Sequence, residues 1–371
     1  MTDGQPGYAL VGASGFGDYC LSHFTGMDGV RVVAVWNRTA EKAARLAGRY
    51  GLRHCRSLEQ VLADPEVDIV HVATTPAQHA AQALAALRAG KHVLVEKPMA
   101  VGAADADEML EAAAQKGVHL AVNFMMRFGP LAAGVGKLVA ERPLGALLRA
   151  QLTNCAGDQG LAPGHWFWDK PRSGGIFVEH GVHFFDLAAC WLGPGRVVAA
   201  QEFKRPGSGV VDQVACTAVY GEETSFSFYH GFHQASQLDR QEIKLVFERG
   251  EATLRGWVAD RIEITALVGS REREMLEGAF PGASVQVLED LNGRVAMRRW
   301  REESLGELLR LDWAAPGGRD QVYGAALKAL LAEFAAAVRG EKSRPSAGGQ
   351  EGRSALRTAL EAERLATEGN S

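Results

Sequence analysis

Apolar positions in the first third of the chain fall in short, nearly unbroken runs, at residues 8–11, 30–36, 67–72, 92–95 and 118–124. Short runs of this kind, bounded by turn formers, read as strands buried on both faces. Between them, residues 39–50, 76–89 and 103–116 read as helices, the last two stopped by Gly90 and Gly117. Ser57-Leu58-Glu59-Gln60 has capping-box spacing and opens another helix. Strands alternating with helices predict a parallel sheet with helices on both faces.

The pattern changes after about Arg127. Residues 131–140 can form a helix and 146–153 a strand, and a Gly/Pro/Trp-rich loop then runs to Gly175. Strand-like runs at 197–203, 210–220, 224–232, 241–247 and 252–258 follow closely, with Pro206-Gly207 and Gly221 between them. Ile262, Ile264, Ala266 and Val268 alternate and add one more strand. Close spacing without intervening helices predicts an antiparallel sheet. Residues 269–317 are charged and mixed, with no readable period. Leu327, Leu330, Phe334 and Val338 recur at helical spacing within 321–338, and 351–367 is a final helix.

The chain has 371 residues, enough for two domains with cores of their own. The net charge is −4 and no Lys/Arg-rich run stands out, so no nucleic-acid partner is expected. No apolar run approaches the roughly 20 residues of a membrane span, and none is expected. The polar residues 1–7 lead straight into a strand, so no signal peptide is expected. Five scattered cysteines without a CxxC read as reduced thiols of a cytoplasmic protein.

Gly12-Ala13-Ser14-Gly15-Phe16-Gly17 follows the first strand and precedes a helix. Small residues there let backbone approach a pyrophosphate at a helix N-terminus, which makes residues 1–126 a Rossmann-type dinucleotide-binding domain. Ser14 replaces the middle glycine of the usual motif, and is small enough to serve. The second strand ends in Trp36-Asn37-Arg38-Thr39, where an NAD site usually places a carboxylate for the ribose 2′-OH. Neutral Asn37 beside cationic Arg38 favours NADP over NAD, unless Arg38 is a solvated surface residue. Thr74, Thr75, Pro76 and His79 follow the third strand and can line the cofactor; His79 can equally be a packing histidine.

Lys97 ends the strand of Lys91-His92-Val93-Leu94-Val95-Glu96-Lys97-Pro98. A lysine at the carboxyl edge of a parallel sheet is well placed for chemistry on a bound ligand. Downstream, Glu179 and His183 stand four apart, on one face of a helix, and Asp186 lies three beyond. A histidine near its ordinary pKa moves a proton either way at neutral pH, and a carboxylate can fix its tautomer. Glu179, His180, His183 and Asp186 are also possible metal ligands. The spacing is not HExxH and no further pair completes the set, so no metal is expected. Trp166 and Trp168 can stack on the C–H faces of a sugar, or form a hydrophobic plug at an interface.

Together these segments resemble the Gfo/Idh/MocA oxidoreductase family. The resemblance rests on the glycine turn, on Thr75-Pro76 with His79, and on Ala89-Gly90-Lys91-His92-Val93-Leu94-Val95-Glu96-Lys97-Pro98. It continues in Asn123 with Arg127-Phe128, and in the Gly-Gly stretch before Glu179, His183 and Asp186. It implies an α/β fold with a second domain, residues 127–371, for substrate binding and oligomerisation, built on an open, mainly antiparallel sheet. It implies Lys97 beside nicotinamide and substrate, Glu96 by the nicotinamide ribose, His183 as acid–base residue, and Arg127 on the substrate side. Glu179 stands where many members have Asp, and its extra methylene moves the carboxylate by about a bond length.

The expected reaction is hydride transfer between NADP or NAD and a secondary alcohol or ketone of a sugar or polyol. Lys97 and His183 would serve the reacting oxygen, Glu179 would orient His183 or bind a neighbouring hydroxyl, and Asp186 would bind substrate or brace the helix. By resemblance the chain is expected to form a homodimer or homotetramer. The rival expectations are a regulator that senses NAD(P) or sugars on this fold, and an NAD-dependent glycosidase.

Overall fold

In the computed structural model, which describes residues 4–369, the chain folds into two compact units. The first comprises Met1–Met125, Pro163–Asp186 and Gly324–Glu361; the second comprises Met126–Ala162, Leu187–Tyr323 and Ala362–Ser371. The single boundary expected after residue 126 is therefore too simple, because two later segments return to the first unit.

The first unit begins β1 (Gly7–Val11), α1 (Gly15–Phe24), β2 (Arg31–Trp36), α2 (Ala40–Tyr50), β3 (Arg53–His54) and α3 (Leu58–Ala63). It continues β4 (Ile69–Val72), α4 (Pro76–Arg88), β5 (His92–Val95), α5 (Ala103–Lys116) and β6 (Leu120–Val122). The sheet order is β3-β2-β1-β4-β5-β6, every pair parallel. β1, β4 and β6 are buried along their whole length, as strands between two helical layers require. Local chemistry sets the helix ends. Ser57 Oγ accepts from Gln60 N at the start of α3, and Gly51 and Gly117 close α2 and α5 in left-handed geometry.

The chain runs on through α6 (Pro130–Glu141), β7 (Leu147–Gly157), α7 (Lys170–Ser173) and α8 (Val182–Leu192). Then come β8 (Gly195–Lys204), β9 (Val211–Tyr220), β10 (Thr224–Gln234), β11 (Arg240–Phe247), β12 (Gly250–Arg255) and β13 (Arg261–Val268). After α9 (Ser270–Ala279) come β14 (Ser284–Asp290), β15 (Val295–Arg298), β16 (Arg301–Ser304) and β17 (Glu307–Ala314). Helices α10 (Gly318–Val338) and α11 (Gly349–Glu368) end the chain.

The large sheet of the second unit has the order β14-β17-β13-β12-β11-β7-β10-β9-β8. It is antiparallel except where β7 and β10 pair in parallel at its middle. Along β9, β11 and β13, buried residues alternate with more exposed ones, so one face is apolar core. On the helical side, α6 meets α9 where Gly134 admits the ring of Phe280, and Trp191 Nε1 donates to Ala132 O.

Residues 269–317, unreadable in the sequence, hold α9 and four strands. β14 is mostly exposed, so its alternation does not separate apolar from polar residues. α10 is long and apolar enough, by length and composition, to cross a membrane, contrary to the expectation from the sequence. It is a core helix here: Leu327, Leu330, Leu331 and Phe334 are buried, and Gly324 lies against the ring of His23 on α1. In the same unit, Val122 N donates to Ala347 O and Ala121 bridges Gly348, so the free edge of β6 is covered. Gly349 and Gly352 let α11 close on Leu110, Leu120 and Met99, and Arg353 pairs with Asp107 of α5.

Candidate active site

The loop after β1 is shaped by two glycines. Gly12 has φ +116°, and a Cβ there would sit 2.3 Å from Ala73 O. A Cβ on Gly17 would meet Gly12 O at 2.3 Å, so α1 packs close to the strand. Ser14 caps α1 by accepting from Gly17 N, and a Cβ on exposed Gly15 would meet nothing within 4 Å. Phe16 follows, half-buried against Tyr19. This leaves an accessible helix N-terminus with room beside it, a fit for a pyrophosphate.

Asn37 lies at the end of β2 and is built into that loop. Its Oδ1 accepts from Ala13 N at 3.0 Å, and its Nδ2 donates to Thr39 O at 3.1 Å. Arg38 is exposed and makes no hydrogen bond or ion pair with another described residue. Beyond β4, Thr74 and Thr75 are half-buried; Thr75 caps α4 and Pro76 occupies its first turn.

His79 does not present its ring to a ligand. It is buried, with Nδ1 2.7 Å from Pro98 O and Nε2 3.1 Å from Thr74 O. Burial pushes its pKa below the ordinary histidine value. The ring thus stands between the loop after β4 and the turn after β5, the packing position that the sequence allowed beside a cofactor-lining one.

At that turn, whose Lys97–Pro98 peptide is cis, Lys97 Nζ donates to Glu179 O at 2.9 Å and to Glu179 Oε1 at 2.7 Å. Their side chains are 19% and 12% exposed, so water screens the pair only in part. An ammonium has three N–H groups, and the third has no partner among the described residues. Glu179 lies in a wide, π-type turn, Phe177–Gly181, which runs into α8. Such turns recur at functional sites because they displace side chains from the regular helical register. Gly174, at φ +86°, makes the bend that admits Val178. The sequence pointed Glu179 at His183 or at substrate; its carboxylate in fact holds Lys97.

His183 is buried, its ring 6.4 Å from that of Phe124, and His180 and Asp186 are buried nearby in sequence. Trp166 and Trp168 are half-buried in a short 3₁₀ turn of the same unit, with buried Phe167 between them. Arg127 is half-buried in the turn Met125–Phe128 and belongs to the second unit.

Glu96 carries a hydrogen-bonded set that the sequence reading missed. His71 Nε2 lies 2.9 Å from Glu96 Oε1, and Asn123 Nδ2 donates to the same oxygen at 2.7 Å. His71 Nδ1 lies 2.5 Å from Tyr8 Oη. Cys20 on α1 closes the group: its sulfur, a His71 nitrogen and a Glu96 oxygen lie within 4.8 Å of one another. The available signal was a lone histidine in the otherwise apolar run 67–72.

Comparison with known proteins places two segments of the chain, together more than half of it, in one family. Residues 7–124 match the model of the oxidoreductase family with an NAD-binding Rossmann fold, and residues 133–253 match the GFO/IDH/MocA C-terminal domain. The 1,5-anhydro-D-fructose reductase of Ensifer adhaerens is 33% identical over 215 residues, 56% of this chain and 63% of that protein. The D-xylose 1-dehydrogenase (NADP(+)) of Hypocrea jecorina is 33% identical over 178 residues, 44% of this chain and 46% of that one. The matched stretches thus span less than two thirds of these relatives.

In fold, the chain is similar to the WlbA dehydrogenase of Bordetella pertussis, solved with NADH and UDP-GlcNAcA. The TM-score is 0.78, at 21% identity, over 100% of this chain and 97% of that one. A levoglucosan dehydrogenase solved with NADH and levoglucosan gives 0.77 at 20% identity over 98% of both chains. The family models, over the parallel sheet and part of the mixed one, identify the chain as a member of the Gfo/Idh/MocA oxidoreductase family.

Proposed function

We propose that the protein is an NAD(P)-dependent dehydrogenase or reductase acting on a CH–OH group of a sugar or polyol. The observation that carries this reading is the Lys97–Glu179 pair, set at the carboxyl end of β5 in a sheet whose first turn suits a dinucleotide. The relatives' names, a reductase of an anhydro sugar and a dehydrogenase of xylose, agree with it.

The dinucleotide, when bound, supplies the hydride chemistry. Glu179 fixes the Lys97 ammonium with two hydrogen bonds and leaves its third N–H for the substrate oxygen, where negative charge develops on oxidation. His183 takes the hydroxyl proton in that direction and returns it in reduction. Glu96 accepts from a ribose hydroxyl of the dinucleotide, and Trp166 and Trp168 offer apolar faces to a sugar ring. Arg38, without a partner among the described residues, pairs with a 2′-phosphate, which makes NADP the preferred form.

The five cysteines are free thiols, in keeping with a cytoplasmic site of action, and the family resemblance supports a homodimer or homotetramer. The test is a fluorescence titration with NADH and NADPH, followed by turnover with a panel of sugars and polyols. Binding of neither dinucleotide would sink the proposal. Tightly held cofactor without net turnover would favour the glycosidase, and binding without any turnover would favour a sensor.

A further inference from the structure

Tyr8, His71 and Glu96 form a diagonal across one face of the parallel sheet. Tyr8 on β1 pairs in register with Ile69, and His71 stands two residues further along β4. His71 pairs with Leu94, and Glu96 stands two residues beyond that, just past the end of β5. Two-residue steps keep the side chains on one face, so each neighbour reaches the next. The diagonal climbs from within the sheet to its carboxyl edge, where ligands of such sheets bind.

An imidazole in a wholly apolar strand is costly unless both its nitrogens are satisfied. His71 is 0% exposed and both are. Burial, together with the Cys20 and Glu96 charges, pushes the Tyr8 pKa well up, so the phenol stays an O–H donor. A carboxylate accepts only. One assignment meets both ends with a neutral ring: Tyr8 Oη–H donates to Nδ1, and Nε2–H donates to Glu96 Oε1. Asn123 adds a second bond to that oxygen, and Oε2 has no partner among the described residues. The carboxylate is thus held by one oxygen and offers the other.

We propose that His71 is a positioning residue that, through its bonds to Tyr8 and Glu96, sets the free oxygen of Glu96 to accept from the dinucleotide. The inference rests on the reading that this site takes NAD(P). Cys20, His71 and Glu96 could also offer a metal three ligand atoms, but a metal on His71 would displace one of its two hydrogen bonds.

The test is the dissociation constant for NADH and NADPH, by fluorescence titration, beside the melting temperature of the unliganded protein. His71→Leu is expected to raise the dissociation constant at least tenfold, about 1.4 kcal/mol. His71→Gln, which keeps a donor near Nε2, is expected to stay within about threefold of the parent, with Tyr8→Phe between the two. A purely structural histidine would lower the melting temperature and leave binding unchanged; that result for a folded His71→Leu overturns the proposal. Should His71→Leu not fold, equal binding by His71→Gln, Tyr8→Phe and the parent overturns it as well. A rise in melting temperature with zinc that disappears in Cys20→Ser overturns it in favour of a metal. Absence of NAD(P)H binding by the parent itself counts against the proposed function instead.

Discussion

Lys97 Nζ lies 2.7 Å from Glu179 Oε1 and 2.9 Å from the main-chain oxygen of the same residue. One residue therefore sets both the position and the direction of the ammonium. Lys97→Ala is expected to lower kcat by about 10²–10³-fold, the usual loss when a donor to a developing oxyanion is removed. Glu179→Gln keeps one acceptor oxygen and the carbonyl contact, and should cost less, about tenfold. Glu179→Asp, a methylene shorter, should fall between them, because placement errors near an ångström matter. Steady-state kinetics on the best sugar of the panel measures all three. Equal kcat in Glu179→Asp and the parent would deny the carboxylate its role in placing Lys97.

His183→Asn should lower kcat by about 10²–10⁴-fold, in line with loss of general acid–base catalysis. It should also remove one limb of the pH–rate profile. An unchanged limb in the variant would move the proton-handling role elsewhere.

Arg38 is the point at which cofactor choice is tested. Arg38→Ala should weaken NADPH binding about tenfold, roughly 1.4 kcal/mol, and leave NADH within about twofold. Parallel titrations of parent and variant decide it, and equal losses for the two dinucleotides would remove Arg38 from the 2′ site.

Gly12 combines a φ of +116° with backbone close behind it. Gly12→Ala puts a methyl group 2.3 Å from Ala73 O, so the loop must move. Backbone strain of this kind costs on the order of 1–3 kcal/mol. A fall of several degrees in melting temperature and loss of dinucleotide binding are expected from thermal scans and titration.

Three histidines make the stability depend on acid. Burial holds His79 below its ordinary pKa, His92 down at about 4 with help from His119, and His230 down at about 3. His92 and His230 are neutral in the folded protein near pH 5, whereas the unfolded chain takes up a proton below about pH 6.5. Their contribution is complete above 6.5 and is lost as pH falls towards about 4 for His92 and 3 for His230. For fully buried His230, acidification to pH 5 should cost about 2 kcal/mol. Half-exposed His92 costs less. Melting temperatures from pH 7.5 to 5.0 should fall, and more gently in His230→Phe. A flat profile would contradict the linkage.

The alternation of apolar runs and helices made the parallel sheet legible because β1, β4 and β6 are short and buried on both faces. The spacing of Glu179 and His183 was legible too, but the partner of Glu179 was not. That partner is fixed by a wide turn at 177–181 and by a lysine far away in the chain. His79 looked like a ligand because it follows the loop after β4; only the packing shows its ring turned to two carbonyls. His71 was hidden for the opposite reason. It interrupts an apolar run by one position, and its meaning appears only when strand register aligns it with Tyr8 and Glu96. The strands of 284–314 escaped because β14 has little buried face to mark its period.

The backbone bond from Val122 to Ala347 joins residues 225 positions apart. On a ribosome, the nucleotide-binding strands emerge first and wait, with β6 still an open edge. At about 5–20 residues per second, that interval lasts roughly 10–45 s. An unpaired strand edge is a template for the wrong partner, so during synthesis this unit is open to misassembly for as long as its last segment is missing. The C-terminal helices thus act as the closing step of a domain that begins at residue 7, and the order of synthesis becomes part of how this chain must fold.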